Sequence, residues 1–345
     1  MHRIELRTVD RQSLNFECAP EENLVAAAAR AHITLPGVCR EGHCGACRGT
    51  CDAGEYELLA CDAGALSERD RGRGGILLCR TRPRTALSVS VPLESTQLTA
   101  GPPPEFECEV ERVEDLGAGV RRLELRSLPD EAGNLNCMFE PGQYLELEVP
   151  GTDRRRAYSI ANAPNWEGRF EFMVRLQPNG CFSEWLVQRA RTGDRLRARG
   201  PQGQFALREA GLAVRHFVAG GTGVAPFFSM LRQMAEFGQT FPVRLYLGVT
   251  RERDLFGQSL LLELQGLLPN LSVEVCVWQP EATWKGHRGS AAQALSRELA
   301  RDGAARDSSE IYVCGPPGLV EAVRSVCDEL KVGIDRVHCE RFLKS

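Results

Sequence analysis

No stretch of this chain approaches the roughly 18 consecutive apolar residues that a membrane-spanning helix needs. The longest run of small apolar residues, Ala26 to Ala29, falls within a short helical segment. Met1-His2-Arg3-Ile4-Glu5 leads into no apolar core of the kind that opens a secretory signal. Basic charge is not in excess either: the formal net charge is −4, which argues against nucleic acid as a partner. No Cys-x-His pair occurs, so the histidine ligands of a Rieske centre are missing. These absences predict a soluble, cytoplasmic chain that engages neither membrane nor nucleic acid. Its 43% hydrophobic and 26% charged content is that of an ordinary globular protein. Its 345 residues are enough for two or three domains.

Cysteine, by contrast, is plentiful, with 14 in the chain, and so many thiols fit a reducing compartment. Four of them define the chemistry. Cys39-Arg-Glu-Gly-His-Cys44-Gly-Ala-Cys47 is a C-x4-C-x2-C run, and Cys79 follows well downstream. That is the plant-type spacing for a [2Fe–2S] cluster, whose fourth thiolate comes from a distant part of the chain. Soft sulfur donors hold iron–sulfur centres, and Gly42 and Gly45 let the loop wrap so that backbone N–H groups face the sulfurs. Structural zinc is the alternative, although zinc usually takes two close cysteine pairs. A disulfide framework belongs to small secreted domains and fits poorly. Cys18, Cys51, Cys61, Cys108, Cys137, Cys276 and Cys327 read as packed thiols.

Three segments follow from the periodicity. Residues 1–97 alternate at Ile4 to Arg7 and Leu14 to Glu17, carry an Ala-rich helix over Glu22 to Ala31 starting near Asn23, and then more strand near Cys79 and at Leu87 to Val91. A small sheet crossed by one helix, with the cysteine loop at its edge, is the expected shape. Residues 98–105 include Thr99-Ala-Gly-Pro-Pro-Pro104 and are expected as a linker. Residues 106–209 show short alternating strands, including Arg122 to Arg126, Tyr144 to Val149 and Arg169 to Val174, and predict an antiparallel barrel. Residues 210–345 alternate apolar strands with helices, a βαβ pattern that predicts a parallel sheet covered on both faces.

Several weaker motifs lie on this frame. Ala219-Gly220-Gly221-Thr222-Gly223-Val224 follows a strand and precedes a helix, where glycines let a backbone approach a pyrophosphate. It is not G-x-G-x-x-G, and a simple tight turn explains it equally well. Cys314-Gly315-Pro316-Pro317 ends another strand at the same sheet edge, where open α/β sheets bind ligands. Arg156-Ala-Tyr158-Ser159 offers a phosphate-binding cation, a flat ring and a hydroxyl, although Arg154 to Arg156 also reads as a solvated turn. Gly180-Cys181-Phe182-Ser183 begins a helix that can receive phosphate, or simply carries an N-cap at Ser183.

In order, the cysteine loop, Phe139-Glu-Pro-Gly-Gln143, Arg-x-Tyr-Ser, Gly-x-x-Ser, Gly-Gly-Thr-Gly and Cys-Gly-Pro-Pro resemble the ferredoxin–NAD(P)H reductase superfamily over essentially the whole chain. The resemblance is closer still to the reductases of soluble methane monooxygenase and related di-iron monooxygenases. Its further marks are Gly54 to Leu58, Leu77-Leu-Cys-Arg-Thr81, Pro150 to Asp153, Cys276-Val-Trp-Gln-Pro280 with Trp284, and Glu340-Arg-Phe-Leu343. One departure stands out: Ser67-Glu-Arg-Asp-Arg-Gly-Arg73 carries three arginines where that family is strongly acidic.

The resemblance implies a β-grasp ferredoxin domain, an FAD-binding antiparallel β-barrel and an α/β nucleotide-binding domain. It implies that Arg156 holds the FAD diphosphate, Tyr158 stacks on the flavin, Ser159 lies near its reactive nitrogen, and Gly180, Cys181, Phe182 and Ser183 cap the diphosphate. It places Gly221, Thr222 and Gly223 on the nucleotide pyrophosphate, Cys314 beside the nicotinamide with Gly315 and Pro316 next to it, and Glu340 and Phe342 at the flavin. The implied cofactors are FAD, the [2Fe–2S] cluster on Cys39, Cys44, Cys47 and Cys79, and NADH rather than NADPH, although Arg251 and Arg253 could grip a 2′-phosphate. The expected activity is electron transfer from NADH to the hydroxylase component of a di-iron monooxygenase. A Rieske-type dioxygenase partner and a small-molecule reductase with no oxygenase partner remain as alternatives, while the intact Arg-x-Tyr-Ser and Gly-Gly-Thr-Gly motifs argue against a redox sensor.

Overall fold

The computed structural model describes the chain except for residues 36–41, 43–44, 46, 63–64, 94, 96–97, 101–102, 209–212, 302–305, 307, 334–335 and 343–345. Cys39 and Cys44 therefore lie outside the described residues. The chain divides into two compact units, Met1–Pro104 with Gln202–Gln204, and Glu105–Pro201 with Phe205–Ser345.

The first unit has a five-stranded sheet of β1 (His2–Arg7), β2 (Ser13–Cys18), β4 (Arg48–Ala53), β6 (Gly75–Leu77) and β8 (Leu87–Ser90), in the order β2-β1-β8-β4-β6. Alternation explains β1: Ile4 and Leu6 are buried while Arg3 and Arg7 face out. β1 and β8 run parallel, and the β1–β2, β4–β6 and β4–β8 pairs are antiparallel. Helix α1 (Leu24–Arg30) buries Leu24, Val25, Ala27 and Ala28, and its N-cap is Asn23, whose side chain accepts from the Ala26 N–H at 2.9 Å. The Pro-rich stretch starts differently from a free linker: β9 (Thr99–Ala100) pairs with β3 (Ile33–Thr34). Short strands β5 (Tyr56–Leu58) and β7 (Thr81–Pro83) form a second ribbon, and α2 (Glu68–Arg71) is a single turn. Cys79 sits in a 3₁₀ turn, Leu78–Arg80, between β6 and β7, the strands expected near it.

The second unit opens with an antiparallel sheet of β10 (Glu105–Gly117), β11 (Val120–Ser127), β12 (Tyr144–Glu148), β13 (Arg155–Ser159), β14 (Arg169–Arg175) and β15 (Arg195–Gln202), ordered β13-β12-β15-β10-β11-β14. An isolated bridge between Ile160 and Phe172 joins the outermost strands and closes the sheet on itself. β10 is long and bulged at two places, which supplies the bend that closure needs. Leu123, Leu125, Leu145, Leu147, Phe170 and Phe172 fill the interior. Helix α3 (Cys181–Gln188) plugs one side of that core with Phe182, Trp185 and Leu186.

The remainder is a parallel sheet of β16 (Arg215–Gly220), β17 (Val243–Val249), β18 (Leu271–Val277), β19 (His287–Arg288), β20 (Glu310–Gly315) and β21 (Val337–Arg341), ordered β19-β18-β17-β16-β20-β21. Helices α4 (Ala225–Glu236) and α5 (Gln258–Leu267) pack with Phe217 and Ala219 of β16. Helices α6 (Ala291–Arg301) and α7 (Pro317–Glu329) pack with Val218 from the other face. Strand order reverses between β16 and β20, so both Gly-rich turns leave the sheet at its switch point. Within this unit α4 is tied to the barrel side: Ser229 Oγ donates to the Asn162 carbonyl at 2.6 Å, and Arg232 pairs with Glu171 at 3.0 Å.

Candidate functional site

At the switch point, β16 ends in Gly220 and the chain turns through a 3₁₀ segment, Gly221–Val224, into α4. Packing dictates the third glycine. A Cβ on Gly223 would lie 2.3 Å from the Cys314 carbonyl oxygen, so no larger residue fits between the two turns. Gly221 has φ +55°, a left-handed conformation that favours glycine. Both features press bare backbone against the sheet edge and leave the α4 N-terminus facing the crevice, a cradle suited to a pyrophosphate. Gly315 follows Cys314, and its carbonyl accepts the Phe342 N–H at 2.9 Å, which draws the C-terminal strand beside the same crevice. Phe342 is half-buried and packs on the core under α4, so it also anchors the chain end.

Three residues expected at the reaction centre meet here. Cys314 on β20 and Glu340 on β21 are partners in register, and Ser159 ends β13 on the barrel. Ser159 Oγ donates to Glu340 Oε2 at 3.3 Å, and Cys314 Sγ donates to the same oxygen at 3.6 Å. Protein packs closely around that carboxyl although Glu340 retains some surface. Burial pushes it up to about 7, against the opposing effect of the two hydrogen bonds. The Cys314 thiol is driven well above its ordinary range, first by burial and then by the neighbouring Glu340. The group therefore holds a protonated thiol and a carboxyl that exchanges its proton near neutrality.

The adjoining barrel surface carries the other motif. Tyr158 lies beside Phe182, ring centroids 5.2 Å apart, with Phe172 edge-on at 6.5 Å. Burial raises its phenol well above the usual range, so it is a neutral flat ring. Arg156 donates to the Arg155 carbonyl at 2.9 Å and has no carboxylate partner among the described residues, which leaves its charge for an anionic ligand. Gly180 is the N-cap of α3 and supplies no side-chain acceptor, so the first N–H groups of that helix are open. The N-cap is not Ser183: its hydroxyl lies in the first turn and accepts the Gln177 N–H at 2.9 Å. The reason is steric room, since Gly180 enters the helix without a side chain. Arg154 is exposed, as a solvated turn implies, and its Nη1 reaches Cys181 Sγ at 3.7 Å at the start of α3.

Arg175 escaped the sequence reading. It ends β14, donates to the Ala118 carbonyl at 3.2 Å and lies 3.5 Å from where a Cβ on Gly221 would stand. No motif marks it, because a charged residue at a strand end is ordinary. After β17, Arg251 and Arg253 are exposed. Glu252 Oε1 accepts the Glu281 N–H and Asp254 Oδ2 the Arg251 N–H, both at 2.9 Å.

In the first unit, Cys47 Sγ and Cys79 Sγ lie 3.2 Å apart, both buried and neither in a disulfide. Gly42 and Gly45 hold φ +83° and +74°, and a Cβ on Gly45 would be 3.2 Å from the Ala65 carbonyl oxygen. Two sulfurs converging beside such tight backbone fit a thiolate-ligated cluster.

The parts define a class of protein: an oxidoreductase with an iron–sulfur domain, an FAD-binding barrel and an NAD-binding α/β domain. The chain matches the 2Fe-2S iron-sulfur cluster binding domain over residues 7–84, the oxidoreductase FAD-binding domain over 107–207 and the oxidoreductase NAD-binding domain over 217–325. It is 34% identical to the anthranilate 1,2-dioxygenase electron transfer component of Acinetobacter baylyi, covering 100% of this chain and 98% of that one. It is 34% identical to the toluate 1,2-dioxygenase electron transfer component of Pseudomonas putida, with 100% and 99% covered. With methane monooxygenase component C of Methylosinus trichosporium it shares 33% over 88% of each. Among solved structures, a cytochrome P450 reductase of Amycolatopsis superposes with TM-score 0.71 at 27% identity, covering 98% of both chains. The chain belongs to this family, the iron–sulfur flavoprotein reductases that are electron-transfer components of oxygenase systems. Its cofactors are FAD, a [2Fe–2S] cluster and NAD(H). No described helix is long and apolar enough to cross a membrane.

Proposed function

We propose that this protein draws electrons from NADH and delivers them singly to the hydroxylase component of a di-iron monooxygenase. When bound, FAD accepts two electrons as hydride and releases them one at a time to the cluster, a conversion the protein side chains cannot perform themselves. The observation that carries the hydride-accepting half of this reading is the meeting of Ser159, Cys314 and Glu340 on one carboxylate oxygen, and the 33% identity with methane monooxygenase component C supports the acceptor. Glu340 holds or yields a proton at Oε2, and Ser159 Oγ can pass it toward the barrel surface where Tyr158 lies. Cys314 packs the crevice floor and, protonated, keeps a polar but uncharged face there. Arg156 and the open N–H groups of Cys181 and Phe182 at the start of α3 suit the FAD diphosphate. Gly221, Thr222 and Gly223 suit the nucleotide pyrophosphate. The solvated Arg251 and Arg253, with Glu252 between them and Asp254 following, support NADH. Cys39, Cys44, Cys47 and Cys79 are the proposed cluster ligands. Residues 1–97, 106–209 and 210–345 are the proposed domains, joined by 98–105.

A second reading, delivery to an aromatic-ring dioxygenase, is favoured by the full-length matches to the anthranilate and toluate dioxygenase components. Anaerobic titration with NADH, followed by reconstitution with each oxygenase class, separates the two. Bleaching of flavin and cluster bands followed by turnover only with a di-iron hydroxylase supports the first reading. Turnover only with the dioxygenase replaces it. Flavin bleaching with an unreduced cluster defeats both.

A further inference from the structure

The first unit carries an arginine rim whose place in the fold gives it a use. Helix α2 and the turn after it expose Arg69, Arg71 and Arg73. Four other arginines of this unit sit on carboxylates: Arg7 with Glu5 at 2.9 Å, Arg30 with Glu22 and Arg82 with Glu21 at 2.8 Å, and Arg84 with Glu21 at 3.8 Å. Arg69 and Arg73 have no such partner among the described residues. The acidic residue between them is occupied elsewhere, since Asp70 Oδ2 takes the Ser67 hydroxyl at 2.8 Å and lies 3.5 Å from Arg48. Only Glu68 offsets the rim from α2 itself.

The rim is joined to the wall of the thiol site. Arg71 Nη2 lies 3.1 Å from Cys61 Sγ, and Cys61 Cβ is 2.8 Å from where a Cβ on Gly42 would stand. Arg48 Nε, whose guanidinium faces Asp70, donates to the Ala65 carbonyl at 2.7 Å, the oxygen that crowds Gly45. Cys61 and Ala65, which crowd Gly42 and Gly45 beside Cys47, are thus held by Arg71 and Arg48, next to the exposed Arg69 and Arg73.

We propose that this rim is the docking surface for the electron acceptor, and that the acceptor presents an acidic face to it. The inference rests on the reading of the chain as an electron-transfer component, and it adds the sign of the partner's surface. Unpaired charge of one sign beside an exit point for electrons speeds encounter with an oppositely charged partner by roughly 10- to 1,000-fold at low salt and loses that advantage as salt rises.

The test uses the full-length holoprotein with two one-electron protein acceptors, acidic cytochrome b5 and basic cytochrome c, each haem iron taking one electron. Arg69→Glu/Arg73→Glu leaves the Arg71 contact with Cys61 in place, and Arg69→Gln/Arg73→Gln checks the sign with less perturbation. Cluster loading is verified from the visible spectrum, and flavin bleaching by NADH is expected to stay within about twofold of wild type because neither residue lies in that unit. Cytochrome b5 reduction by wild type should fall with added salt. It should drop about tenfold or more in the Glu variant, less in the Gln variant, while cytochrome c reduction rises. Equal rates and equal salt slopes for wild type and variants would overturn the docking surface. If the charge inversion is seen yet no oxygenase is driven, the partner reading fails and the surface stands.

Discussion

The two units hold their reactive groups by different means. In the first, the proposed ligands come mostly from one nine-residue run, and a single distant cysteine completes them. Metal–sulfur bonds would then tie that run to the distant Cys79. In the second, Ser159 and Glu340 are 181 residues apart, and Cys314 and Glu340 are 26 apart. Nothing covalent joins them; a barrel strand end and two parallel strands in register bring them to one oxygen. A site built from a local run can be lost by deleting one atom, whereas a site built from register can be loosened by degrees.

The largest effect should come from the sulfur side. Cys79→Ser is expected to abolish the cluster bands and cut reduction of one-electron protein acceptors by roughly 100-fold or more, because thiolate is the required ligand. Flavin bleaching by NADH should persist, measured by stopped-flow absorbance. If both processes fail together, the two units are not separable as described.

Next comes the glycine turn. Gly223→Ala places a Cβ 2.3 Å from the Cys314 carbonyl oxygen, and relieving such overpacking is expected to cost about 1–3 kcal/mol. Urea unfolding should show it, and NADH affinity should weaken with it. Unchanged stability and affinity would mean that the two turns tolerate separation.

Glu340→Gln tests the register-built site more gently. With the carboxyl pushed up to about 7, the folded state binds the proton more tightly than the unfolded chain. Its contribution to stability is therefore fully present below about pH 4.5 and is lost as pH rises toward 7. The variant should flatten that slope. It should also remove an inflection near 7 from the pH profile of flavin reduction and slow that step by roughly 100-fold, the low end of the range for a positioned proton donor. A profile that keeps its inflection would assign the titration to another group.

The smallest effect belongs to the surface. Arg30→Ala removes an exposed ion pair with Glu22 and should leave the urea-unfolding midpoint nearly unchanged, because solvent and salt screen such a pair.

Much of this architecture was legible from periodicity. Arg169–Arg175 is a strand where the alternation over Arg169 to Val174 predicts one, and Asn23 caps the Ala-rich helix. The misses share a cause: each depended on a partner distant in the chain. Thr99–Ala100 pairs with Ile33–Thr34, which a Pro-rich composition does not announce. Arg154 and Arg175 carry no motif, and their neighbours are set by how strands and turns converge.

By itself, the amino-acid sequence determined the cluster-type cysteine spacing, the order of the nucleotide motifs and the alternation of strand and helix, because these depend on neighbours within a few turns of chain. Only the tertiary structure decided that Ser159, Cys314 and Glu340 share one oxygen, that this carboxyl titrates near neutrality, and that Asp70 turns away from the arginines beside it. Those outcomes depend on strand register and on burial, which arise only when distant segments exclude water from one another.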